Sequence, residues 1–181
     1  GPDHPDTLTS RNNLAGAHQA AGHLDQAIPL YEQNLTDRLR ILGPDHPDTL
    51  TSRNNLAGAH QAAGHLDQAI PLYEQNLTDR LRILGPDHPD TLTSRNNLAG
   101  AHESAGHLGQ AIPLYEQNLT DSLRILGPDH PNTLTSRNNL AYAHESAGRL
   151  DQAIPLYEQT LADRLRILGP DHPNTLTSRN N

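Results

Sequence analysis

The chain has 181 residues, about one domain by length, with 29 leucines and 8 isoleucines as its only large aliphatic residues. So thin an apolar supply, with a net charge of −8, borders on that of disordered chains and excludes a conventional globular core. Zero cysteines exclude disulfides and thiolate metal sites, and 21 acids against 13 arginines, with no lysine, disfavour nucleic acid as a partner.

No run approaches the roughly 18 apolar residues of a membrane span, so no membrane partner is expected. The opening Gly1-Pro2-Asp3 is not a signal peptide. A cytoplasmic location is expected, and the absence of methionine suggests an excised or processed piece. Protonating all 12 histidines would carry the net charge from −8 to +4.

Order rescues what composition puts in doubt. Gly1, Gly43, Gly85, Gly127 and Gly169 each open the string Gly-Pro-Asp-His-Pro. Residues 1–42 and 43–84 are identical. The third copy, 85–126, departs from the second at Glu103, Ser104, Gly109 and Ser122. The fourth, 127–168, departs from the first at Asn132, Tyr142, Glu145, Ser146, Arg149, Thr160 and Ala162, and residues 169–181 restart the repeat. Self-similarity at a fixed period of this length predicts an all-α or related solenoid, which needs no bulky interior. The chain is therefore expected to be a single repeat array over 1–181, with residues 169–181 as a partial cap packing through Leu176. The near-identity fits recent duplication or an array assembled from one repeat.

In chain order, each copy reads as two helices. The first spans about Pro5 to Ala21, with Asp3 as N-cap and proline in the first turn. Gly22 ends it. His4 reads as loop. The second spans about Leu24 to Leu42, its apolar stripe falling on Leu24, Ala27, Ile28, Tyr31, Leu35, Leu39 and Leu42. Pro29 should kink it, and Gly43-Pro44 stops it. The first helix carries little apolar surface beyond Leu8, Leu14 and small alanines. Stability must come from stacking pair on pair.

The order Leu14, Ala15, His18, Gly22, Leu24, Ala27, Tyr31 resembles the tetratricopeptide repeat signature. With Gly-Pro-Asp-His-Pro-Asp-Thr, Asn-Asn-Leu-Ala and Ala-Ile-Pro-Leu-Tyr-Glu-Gln, the copies are similar to the longer kinesin-light-chain type of that repeat. HEAT and armadillo repeats lack this small-residue grammar. Two positions depart from the family: histidine (His18, His60, His102, His144) in place of an aromatic, and Asn34, Asn76, Asn118 or Thr160 in place of a small residue. Both suggest looser packing.

The resemblance implies an α-solenoid, a right-handed superhelix of antiparallel helix pairs whose first helices line a concave groove. Such grooves hold extended peptides or partner helices. The implied groove residues are Thr9, Asn12, Asn13, Gly16, Gln19, Ala20 and their copies. Chief among them are Asn13, Asn55, Asn97 and Asn139, an amide ladder able to grip a peptide backbone. Asn12, Asn54, Asn96 and Asn138 stand beside them, with Gln19, Gln61, Glu103 and Glu145 a turn or two on. Alternatively, these amides simply bridge adjacent first helices. The groove should be neutral at one end and acidic at the other, and should prefer a neutral or basic extended protein segment.

Other signals read blandly. His18 and His23 lack the further ligands of a metal site, so no metal and no cofactor is expected. The sequons at Asn34, Asn76 and Asn118 fall mid-helix. Ser10, His18 and Asp25 recur with every copy, whereas an active site needs one asymmetric arrangement; no catalytic residue is expected. Two function classes remain: an interaction scaffold, or a self-assembling repeat protein associating through its ends or by swapping repeats.

Overall fold

A computed structural model describes residue 1 and residues 3–180, with the side chains of residues 179 and 180 outside the description. Among the described residues there are nine helices and no strand: α1 (Pro5–Ala20), α2 (Leu24–Leu42), α3 (Pro47–Ala62), α4 (Leu66–Leu84), α5 (Pro89–Ser104), α6 (Leu108–Leu126), α7 (Pro131–Ser146), α8 (Leu150–Leu168) and α9 (Pro173–Asn180). The fold class is an α-solenoid. Two compact units divide it, Gly1–Ser104 with α1–α5 and Ala105–Asn181 with α6–α9. Within each, helices pack on their sequence neighbours.

The helix starts differ from expectation. Asp3 is not the cap; the Nδ1 of His4 accepts the Asp6 N–H at 3.2 Å. His46, His88, His130 and His172 repeat this at 3.1–3.2 Å. An imidazole nitrogen that accepts must be the unprotonated one, so each cap uses the neutral ring. Asp3 instead binds Arg40, at 2.5 Å from its Nη2, which holds the carboxyl below its usual range.

The two glycine stops act differently. Gly22, at φ +79°, lets its own N–H reach the Gln19 carbonyl and the His23 N–H reach that of His18, a paired closure that satisfies two orphan carbonyls. Gly43, at φ 86° and ψ 171°, occupies a region essentially closed to other residues. Between them α2 runs unbroken through Pro29.

The core is thin and sets small alanines between leucine and tyrosine side chains. Ala15, Ala27, Tyr31 and Leu35 of the first repeat meet Leu56 and Ala59 from the first helix of the second. Leu39 does not join this face and is 38% exposed. The buried stripe of α2 turns instead through Asn34 and Arg38, which apolar periodicity passes over. Asn34 is fully buried and its Nδ2 donates to Ser52 Oγ at 3.2 Å. Arg38 Nη1 donates to the same oxygen at 2.9 Å and to the Asp48 carbonyl at 2.9 Å. The asparagine that stands in place of a small residue thus ties its helix to the next repeat through Nδ2, while its Oδ1 is buried without a partner.

Equivalent contacts follow at Asn76 to Ser94 and Arg80 to the Asp90 carbonyl in the first unit, and at Asn118 to Ser136 in the second. At α9 the same logic holds. Arg164 Nη1 reaches the Asn174 carbonyl at 3.1 Å and Ser178 Oγ at 2.5 Å. Thr175 is fully buried while Leu176 is 45% exposed, so α9 packs on α8 through its small polar residues and not through Leu176.

A second buried polar link closes the pairs α1–α2, α3–α4 and α7–α8. Arg53 of α3 meets Asp79 of α4 at 2.7 Å, both nearly out of solvent. Arg11 to Asp37 and Arg137 to Asp163 are its counterparts. Replacing Arg53 with alanine strands most of a buried carboxylate, although Arg82 still touches Asp79 at 3.3 Å. The expected loss is about 2–4 kcal/mol in urea unfolding, and adding Asp79→Ala should recover part of it.

Candidate functional site

The asparagines of the first helices gather on one face within each unit. Asn55 Nδ2 donates to Asn12 Oδ1 at 3.0 Å, and Asn97 Nδ2 donates to Asn54 Oδ1 at 2.9 Å. The second asparagine of a repeat therefore reaches back to the first asparagine of the repeat before it. Asn13 is exposed, whereas Asn12, Asn54, Asn55, Asn96 and Asn97 are half-buried. Asn138 and Asn139 of α7 are half-buried at the same register. The bridging that sequence allows is present at two steps. It consumes one N–H of Asn55 and of Asn97 and leaves each of their Oδ1 atoms without a partner among the described residues.

About two turns further on, the face changes with the copy. Gln19 is half-buried; Gln61 Nε2 donates to Ser104 Oγ at 3.1 Å; Glu103 is half-buried. Glu145 is exposed and accepts the Tyr157 hydroxyl at 2.7 Å. Thr9 and Ala20 are exposed. Gly16 leaves a gap above the buried Tyr31 ring, a feature that sequence reading files under the apolar stripe. Neither the glycine nor the tyrosine signals it alone; their juxtaposition needs the fold.

Behind this face lie the histidines. His60, His102 and His144 are 5% exposed, and the Nδ1 of His60 and of His144 is buried without a partner. The His60 ring leans on that of His65, with centroids 5.9 Å apart. Burial lowers the pKa of His60; Glu32 and Asp67 oppose the shift and His65 adds to it. Burial likewise lowers His144, against Glu116 and Asp151 and with Arg149. Among the described residues, no three histidine or carboxylate side chains gather as a metal site, and no helix is long and apolar enough to cross a membrane.

A histidine whose folded pKa is lowered binds its proton more readily when unfolded. Its contribution to stability is present above about pH 6.5 and is lost as pH falls through the unfolded value toward the folded one. The melting temperature should therefore fall between pH 7.5 and 5. In the double variant His60→Phe, His144→Phe that fall should be shallower, as circular dichroism melts at each pH would show. An unchanged slope would show that His60 and His144 do not carry the pH dependence.

The family profile of the tetratricopeptide repeat matches residues 6–78, 66–120 and 133–174. No curated relative matches the chain. Among solved structures, the chain is similar to a protein of Podosopora anserina described as a kinesin light chain with nearly identical TPR-like repeats. The identity is 34% and the TM-score 0.85, covering 97% of this chain and 83% of that one. A single-substitution variant of that protein matches at 33% identity with a TM-score of 0.86 over the same shares. BtubC (BKLC) from P. vanneervenii shares the fold at 21% identity and a TM-score of 0.81, over 94% of this chain and 68% of that one.

Proposed function

Because the chain belongs to the tetratricopeptide repeat family, whose repeats serve as protein-interaction scaffolds, we propose that it holds an extended peptide segment against the groove-lining first helices. The observation that carries this reading is the amide pairing of Asn12 with Asn55 and of Asn54 with Asn97. Each bridge fixes an amide in one orientation while leaving an acceptor and a second N–H for a peptide group. Binding then orders little that is not already ordered. Bridging and gripping are compatible uses of one side chain.

The partner we propose is a cytoplasmic protein segment of neutral or basic character. Gln19 and Gln61 offer neutral hydrogen bonding, while Glu103 and Glu145 place carboxylates at the same position of later copies. A second reading is association with another copy of the chain. Leu14 is 51% exposed, whereas its counterparts Leu56 and Leu98 are 5% exposed, so α1 presents a face that α3 and α5 bury. Light scattering separates the two: a mass constant near 19.8 kDa over concentration removes self-association.

A fixed array of twelve-residue neutral, basic and acidic peptides tests the main reading. Neutral and basic peptides should bind, and acidic ones should not, at low salt. Replacing Asn13, Asn55, Asn97 and Asn139 together with alanine should weaken binding about tenfold or more, at about 1 kcal/mol per lost hydrogen bond, with far-ultraviolet circular dichroism unchanged. Tighter binding of acidic peptides would overturn the charge preference. Undiminished binding by the alanine variant would overturn the ladder.

A further inference from the structure

Gly16 and Gly58 interrupt the first-helix face at the register where the second helix brings a phenol up beneath it. A Cβ on Gly16 would lie 3.4 Å from the Tyr31 hydroxyl, and one on Gly58 would lie 3.4 Å from that of Tyr73. Both rings belong to the core, at 3% and 4% exposed. Neither hydroxyl has a hydrogen-bond partner among the described residues, yet neither oxygen is among the buried atoms sealed off without one. On the glycine side, no side chain of that residue covers either hydroxyl.

Repeat 4 supplies the internal contrast. Tyr142 stands where the earlier copies have glycine and is 54% exposed. Glu145 stands where repeats 1 and 2 have Gln19 and Gln61 and repeat 3 has Glu103, and its carboxylate accepts the Tyr157 hydroxyl at 2.7 Å. Where the gap is filled, the phenol is satisfied inside the chain. In repeats 1 and 2, where the gap is open and glutamine stands in place of the glutamate, Tyr31 and Tyr73 have no such partner among the described residues.

We infer that Gly16 and Gly58 are hydrogen-bonding windows, each admitting a main-chain carbonyl of a bound extended segment to accept from the phenol beneath. The inference deepens the groove reading and rests on it. A missing side chain leaves room for a backbone atom and little more, which selects a peptide carbonyl over a bulky side chain. Asn12 and Asn13 lie four and three residues before Gly16, on the same face one turn away. An amide and a phenol thus address neighbouring peptide groups of one strand. Burial raises both phenols, Tyr73 to about 12, so they remain O–H donors across the neutral range. Repeat 4 presents a ring and a carboxylate at this register instead of a donor.

The test uses the intact chain, labelled at the ring carbon bearing the hydroxyl of its five tyrosines, and N-methylacetamide as the probe, the smallest peptide-group mimic. Tyr31→Phe and Tyr73→Phe assign the two window signals. Those two signals should shift and saturate with the probe, while those of Tyr142 and Tyr157 should follow only a small linear drift. Gly58→Tyr, which copies repeat 4, should abolish the Tyr73 response and keep that of Tyr31. Should that variant fail to fold, Tyr142→Gly with Glu145→Gln serves instead, and it should make Tyr157 respond. A common linear drift of all five signals, or a Tyr73 response that survives Gly58→Tyr, overturns the windows. Loss of peptide binding in the asparagine variant with no saturable tyrosine response would leave the groove reading intact and remove the windows alone.

Discussion

The stacking of this chain depends on a single hydroxyl repeated along it. Ser52 Oγ, fully buried, receives Asn34 from one side and Arg38 from the other, and Ser94 receives Asn76. Alanine against alanine is a poor ruler: two smooth, small surfaces pack almost as well when slid by a turn. A buried guanidinium is not so tolerant. Displaced from the Asp48 carbonyl and Ser52, Arg38 would leave a cation out of water with nothing to receive it, at a cost several times that of a lost methyl contact. The polar clamp therefore sets register, and the thin apolar core supplies area once register is set.

How much of this is legible beforehand follows from which forces announce themselves along a sequence. The helix pairs do, because glycine, proline and the Ala27–Tyr31–Leu35 spacing act locally; α2 begins and ends at Leu24 and Leu42 as its stripe requires. The cap lies one residue beyond its expected place. Aspartate is the commoner cap, and His4 shows its role only when its Nδ1 is seen against the Asp6 N–H. Asn34 and Arg38 escape because periodicity counts apolar residues, and here the buried face is completed by polar ones whose partners lie in the next copy. The asparagine face is legible as a row, but the bridge from Asn55 back to Asn12 spans 43 residues, and only the stack reveals it.

Five of the differences among the copies fall on two functions of the scaffold. Ser122, in the place of Arg38 and Arg80, exchanges a cation for a hydroxyl that meets Ser136 at 3.4 Å, while its carbonyl accepts from Thr133. Thr160, in the place of Asn34, turns inward on the Leu156 carbonyl. These changes retune how copies hold one another. Glu103, Tyr142 and Glu145 leave the clamp alone and alter what the first helices present. A repeat protein can vary its grip on itself and its grip on others at separate positions, and here both sets vary in the last two copies.

The clamp also has a bearing on how the chain is made. Its bonds join residues 10, 14 and 18 apart, and the buried Arg53–Asp79 pair joins residues 26 apart. Low separation of this kind favours rapid folding, since little loop entropy is spent before contacts form. Ser52 is the tenth residue of its copy, so a repeat leaving the ribosome is sealed once that short stretch of the next has followed it. Near-identical neighbours are prone to mispair when all are present at once. Vectorial synthesis offers each second helix its own successor first, and order of emergence supplies the discrimination that two identical sequences lack.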